Sequence, residues 1–158
     1  MTTGGGSAPA GPPVGSSDQE VGPGRPAVGV VVVTHGCAAA DLVGAAEAIV
    51  GRLPEVTCLA TGPCEAAGSI QRRVARAASA ADQGGGVLLI TDLHGSTPAN
   101  ACLALHQPGR IEVLFGVNLA MLIKLSTCDR REVGPTELGE FLRDTGRRSI
   151  RLAAELKG

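Results

Sequence analysis

Two uninterrupted aliphatic runs, VGVVVVT at residues 28–34 and GVLLIT at residues 86–91, constrain this chain most. A strand with one wet face alternates apolar and polar residues. A strand that is apolar at every position must be covered on both sides, as in the interior of a parallel sheet. Shorter runs at residues 56–60 and 111–115 read as two further strands. Between them the apolar spacing turns helical. Residues 38–50 carry Leu42, Ala45, Ala46, Ile49 and Val50 on one side and stop at Gly51. Residues 66–81 place Arg72, Arg73 and Arg76 on a wet side, 98–106 and 119–125 read as short helices, and 136–156 as one long helix or two interrupted near Gly146. Strands alternating with helices at this spacing predict the α/β class, an open three-layer α/β/α domain around a four-stranded, mainly parallel sheet.

Composition narrows the function. Trp and Tyr are absent and Phe115 and Phe141 are the only aromatics besides histidine, so neither base-stacking platforms nor aromatic sugar walls are available. Fourteen Lys and Arg against fifteen Asp and Glu leave a net charge of -1, without the basic surplus that nucleic-acid binding needs. The longest apolar run, at residues 27–33, is far too short to enter a bilayer, and no secretory signal is recognisable. The five cysteines form no CxxC pair and read as reduced, cytosolic thiols rather than a disulfide framework or a zinc site. Residues 1–26 contain seven Gly and five Pro, with Val14 and Val21 as the sole branched aliphatics. Such a segment buries too little to offset its chain entropy and is expected to be a disordered tail, leaving residues 27–158 as the domain.

In open α/β sheets, ligands bind beyond the carboxyl ends of the strands. Four segments occupy that rim: Thr34-His35-Gly36-Cys37, Thr61-Gly62-Pro63, Asp92 through Pro98, and Gly116-Val117-Asn118. In the third, Thr97 reads as a helix N-cap with Pro98 first in the helix and Asn100 closing a weak capping box. The amides of Gly95, Ser96 and Thr97 would then surround a helix start suited to a phosphoryl group. His35 offers a nucleophilic imidazole, and Asp92, at the end of the next buried strand, is the natural carboxylate to fix its tautomer. Each feature also has a plain reading: a loop histidine, a turn-capping aspartate, an ordinary helix cap. Composition and spacing stop at a phosphate-handling α/β domain. His94 reads as a second rim histidine tuning His35 or as an exposed residue packing on a partner, with Leu93 turned inward. Cys37 reads as a spacer or a redox-sensitive thiol, and His106 as a solvent-facing cation at a helix end.

VGVVVVTHG, LLITDLHGSTPANA and IEVLFGVNLAML together resemble the IIA components of the mannose-fructose-sorbose family of the bacterial phosphoenolpyruvate-dependent sugar phosphotransferase system (PTS). The resemblance implies a four-stranded parallel core, sometimes with an added edge strand, in a cytoplasmic homodimer. It implies that His35 accepts a phosphoryl group from HPr and passes it to an enzyme IIB, with no cofactor and no metal. Asp92 then orients the imidazole, Gly95, Ser96 and Thr97 hold the phosphoryl oxygens, and Gly36, Gly116 and Asn118 line the site. The chain departs from the family pattern in having Gly95-Ser96 for a Gly-Gly pair and Ala120 for a proline. A regulatory phosphohistidine module of an incomplete phosphotransferase system is the alternative output. A small metal chelatase, holding an ion between His35 and His94, is the competing class.

Overall fold

The first aliphatic run forms β1 (Gly29–His35), and its side chains enter two cores. Val30 and Val32 face one layer, Val31 and Val33 the other, and all four are fully buried. The second run forms β3 (Val87–Thr91), which divides in the same way, Leu88 and Ile90 against Val87 and Leu89. The computed structural model describes residues 24–53 and 55–156. Within them β2 (Val56–Thr61) and β4 (Ile111–Phe115) complete a four-stranded sheet of order β2-β1-β3-β4, parallel throughout. Helices α1 (Ala38–Val50), α4 (Leu119–Leu125) and α5 (Pro135–Ser149) cover one face, and α2 (Ala67–Ala81) and α3 (Thr97–Leu103) cover the other. Among the described residues no helix is long and apolar enough to cross a membrane.

This strand order has a functional consequence. From β1 the chain crosses to β2 on one side, then returns past β1 to β3 and continues outward to β4. The connection after β1 leaves toward one face and the connection after β3 toward the other. A crevice therefore opens between the carboxyl ends of these two neighbours, the topological switch point.

Three sequence expectations need correction. The helix expected to reach residue 106 stops at Leu103, because the Leu105 and His106 amides bond the Cys102 and Leu103 carbonyls (3.0 and 3.1 Å) and tighten the chain out of the helix. Gln107 then pairs back on Ile111. The last helix ends at Ser149, where Ile150 is extended, and a separate 3₁₀ turn spans Ala153–Leu156. Gly146 does not interrupt it. A Cβ there would run into the Met121 side chain and lie 2.9 Å from Asn118 Nδ2, so glycine lets α5 approach α4 closely. The tail expected over residues 1–26 lies outside the described residues except for Gly24, Arg25 and Pro26, which are exposed and without regular structure.

Gly29 marks a tighter approach. A Cβ at this position would overlap the Ala81 carbonyl oxygen at the end of α2 and sit 2.8 Å from its carbon. Backbone cannot yield as a flexible side chain does. Gly29→Ala is expected to destabilise the domain by about 3 kcal/mol, the upper part of the usual overpacking range. Urea denaturation measures this; an unchanged midpoint would mean that α2 moves away freely.

Candidate active site

The rim is built on buried threonines at or next to the ends of β1, β2 and β3: Thr34, Thr61 and Thr91 are 0%, 3% and 0% exposed. Thr34 Oγ1 accepts the Ala39 amide at 2.7 Å, capping α1 from within the sheet, since Cys37 at the N-cap makes no side-chain bond. Thr61 Oγ1 donates to the Thr34 carbonyl at 3.1 Å. The Thr61 carbonyl accepts the Gly36 amide, and the Thr91 carbonyl those of Gly116 and Val117. Sequence reasoning gave these residues no role, although a threonine near the end of each of these three strands was the available signal.

On this floor His35 and Asp92, 57 positions apart in sequence, meet across the switch point. Asp92 Oδ2 lies 2.9 Å from His35 Nδ1 and also accepts the His35 backbone amide at 2.9 Å. The other carboxylate oxygen accepts the Leu93 amide at 2.8 Å and faces the Thr91 hydroxyl at 3.4 Å. An ionised carboxylate only accepts hydrogen bonds, so the ring hydrogen resides on Nδ1 and the lone pair on Nε2. Among the described residues nothing bonds Nε2, and the His35 side chain is 54% exposed. Gly36 supplies the left-handed turn (φ 53°) that takes the chain off the strand directly after the histidine.

Partial burial pulls the Asp92 pKa upward, but the hydrogen bonds from the His35 amide, the His35 ring and the Leu93 amide outweigh it and hold the carboxylate below its ordinary range. A depressed folded-state pKa stabilises the fold fully above the unfolded value, and this contribution is lost as pH falls through the folded value. Stability should therefore decline on acidification below about pH 4, and part of that decline should vanish in Asp92→Asn. Thermal melts across pH 2–6, by circular dichroism, measure the difference; superimposable acid limbs would remove Asp92 as a contributor.

The third rim segment differs from expectation in detail. Ser96, not Thr97, is the N-cap of α3, its hydroxyl accepting the Ala99 amide at 3.3 Å; Thr97 and Pro98 open the helix. Asn100 closes no capping box, and its Nδ2 lies 3.5 Å from the Gly95 carbonyl. The Ser96 amide is used within the turn, donating to the Leu93 carbonyl at 3.2 Å. Among the described residues the Gly95 and Thr97 amides and the Thr97 hydroxyl bond no protein group, leaving these as donors for an anion. Leu93 points outward, 62% exposed, because the ladder ends at Thr91 and strand alternation no longer applies. The His94 ring packs edge-on against Phe115, with centroids 4.9 Å apart.

The remaining segments are held from outside the rim. Asn118 caps α4 through the Met121 amide (3.1 Å), and Gly116 provides a left-handed turn (φ 83°). Glu65 accepts the Gly62 amide and is gripped by Arg73 (2.7 and 2.9 Å) and Ser69, which together hold its pKa low. Arg73 is thus a structural cation rather than part of a free wet face. His106 pairs with Glu112 at 3.4 Å. Cys102 is fully buried, and burial first, then the charge of Asp92, push its thiol up to about 12.

The EIIA-man family model, described as the PTS system fructose IIA component, matches residues 29–139, from the first strand into α5. The chain belongs to this family. Over 127 residues it is 30% identical to the PTS system mannose-specific EIIAB component of Escherichia coli K12, covering 78% of this chain and 39% of that protein. Two solved structures share the fold. One is phosphotransferase system component EIIA from Streptococcus agalactiae (TM-score 0.72, 21% identity, 81% of this chain and 98% of that one). The other is the mannose/sorbose-specific IIA subunit from Enterococcus faecalis (TM-score 0.70, 23% identity, 80% and 94%). In this EIIA-man chain the Gly95-Ser96 pair is accommodated without strain: Gly95 takes the left-handed conformation (φ 82°) and Ser96 stays extended at φ −77°. Ala120 sits in the first turn of α4, which forms without a proline.

Proposed function

We propose that this domain is a phosphocarrier of a sugar phosphotransferase system, taking a phosphoryl group from phospho-HPr onto His35 and passing it to an enzyme IIB. The observation that carries the reading is the Nδ1 contact to Asp92 at 2.9 Å, which leaves Nε2 as the nucleophile at the switch point. In the transfer the Nε2–phosphorus bond forms as the donor's nitrogen–phosphorus bond breaks, in line. No proton moves: Nδ1 keeps its hydrogen, and Asp92 faces the positive charge that develops on the ring. The Gly95 and Thr97 amides and the Thr97 hydroxyl are the donors within the third rim segment for the phosphoryl oxygens, Ser96 having the cap as its task. Positioning and hydrogen bonding supply the catalysis. The residues place no demand for a cofactor or metal on this chemistry. The working form on this reading is a cytoplasmic homodimer.

The test is labelling of the full chain with phosphoenolpyruvate, enzyme I and HPr. One phosphoryl group per chain is expected, acid-labile and base-stable, located by mass spectrometry on His35 and by ³¹P NMR on Nε2. A label on Asp92, or none at all, rejects the proposal.

A further inference from the structure

We propose that Thr61 is a positioning residue for phosphoryl transfer at His35, acting from β2 through the peptide group that precedes the histidine. The inference rests on the phosphocarrier reading and adds a residue to its machinery. The Thr34 carbonyl and the His35 amide are the two ends of one planar peptide unit. Thr61 Oγ1 donates to that carbonyl at 3.1 Å, and the amide at the opposite end donates to Asp92 Oδ2 at 2.9 Å. The same Asp92 oxygen lies 2.9 Å from Nδ1 of the ring. A continuous path therefore runs from the Thr61 hydroxyl, across the peptide, to the carboxylate oxygen that fixes the tautomer. The Thr61 carbonyl also accepts the Gly36 amide at 2.9 Å, so one residue of β2 grips the chain on both sides of His35.

Burial gives the hydroxyl its significance. Thr61 is buried at the last position of β2, where a valine of the same shape would suit the pleated surface. A buried hydroxyl is costly unless it is bonded, and this one is bonded to the peptide beside the reacting ring. A hydrogen bond accepted at a carbonyl polarises the peptide and strengthens its amide as a donor. Held at both ends, the 34–35 peptide keeps its plane, and Asp92 Oδ2, anchored on its amide, stays opposite Nδ1. Released at the carbonyl, peptide and carboxylate shift together, and the ring exchanges into the tautomer whose Nε2 carries a hydrogen and cannot attack. Thr91, with its hydroxyl 3.4 Å from the other Asp92 oxygen, makes the looser contact of the two.

The experiment pairs two readouts on the full-length chain: rapid-quench transfer from phospho-HPr, and ¹H–¹⁵N NMR of the His35 ring and backbone amide in the unphosphorylated protein. In Thr61→Val the transfer rate at saturating phospho-HPr should fall roughly three- to tenfold, the scale of one neutral hydrogen bond, with KM within about twofold of wild type. The ring nitrogens should show the Nε2-protonated tautomer gaining population, and the His35 amide proton should move upfield as its bond to Asp92 weakens. Thr61→Ser, which keeps the hydroxyl, should restore the rate and the spectrum, and Thr57→Val, at an exposed position of the same strand, should change neither. A wild-type rate and spectrum in Thr61→Val overturns the inference. So does equal impairment by Thr61→Ser, which would make shape rather than the hydroxyl the cause, and so does a slower rate with unchanged ring resonances, since the loss would not pass through the imidazole. Should Thr61→Val fail to fold, Thr61→Ala is judged by the same criteria. Failure of phospho-HPr to label the wild-type chain would instead reject the phosphocarrier reading, while the NMR readout still decides whether Thr61 holds the His35–Asp92 pair.

Discussion

His35→Ala is expected to leave no acid-labile phosphoryl label, with folding intact. The side chain is half exposed at the end of β1 and packs in neither core, so its removal opens no cavity. The chain's other histidines are poorly placed to substitute. His94 has its ring edge-on to Phe115, and among the described residues no carboxylate bonds it. His106 follows α3 just before β4 begins, toward the amino end of the parallel sheet, with Glu112 on its Nε2. A free imidazole without an oriented tautomer remains a weak acceptor. Phosphorylation followed by mass spectrometry measures the effect. Full labelling in the variant would move the reactive residue elsewhere and dissolve the site as drawn.

Asp92→Asn is expected to fold and to slow phosphoryl transfer by on the order of 10²–10⁴-fold, the scale of losing an imidazole's orienting carboxylate. The carboxylate serves donors on both oxygens: the His35 amide and Nδ1 on one, the Leu93 amide on the other. An asparagine has one oxygen. Turned toward His35, it keeps the productive tautomer but sets its amino group against the Leu93 amide. Turned toward Leu93, it sets that group against the His35 amide and favours the tautomer whose Nε2 carries a hydrogen and cannot attack. Either orientation strains the turn that carries Leu93. Rapid-quench transfer from phospho-HPr measures the rate, and a wild-type rate would remove Asp92 from the mechanism.

The fold was legible because its evidence is local. A strand buried on both faces shows as an unbroken aliphatic run, and β1 and β3 lie within a residue of those runs. The meeting of His35 with Asp92 was legible too, since parallel strands align their ends whatever their separation in sequence. What escaped was decided by competition among neighbours. Ser96 and Thr97 are both good caps, and the choice depends on which hydroxyl reaches the Ala99 amide. Leu93 obeys strand alternation only while the strand lasts. Gly146 reads as a helix breaker until Met121 is known to press on it. The Ser96 amide counts as an anion donor until the Leu93 carbonyl is found to hold it.

The rim described above offers an incoming phosphoryl group amides and one hydroxyl, but no guanidinium or ammonium from the segments that form it. Cation-lined pockets bind such a group tightly and release it slowly. Here it would be oriented without being trapped, and on the proposed reading its dwell time on the imidazole would be governed by how soon the acceptor protein arrives. On the proposed phosphocarrier reading, such a domain would be a way-station whose traffic runs in either direction, set by the relative abundance of charged donor and empty acceptor.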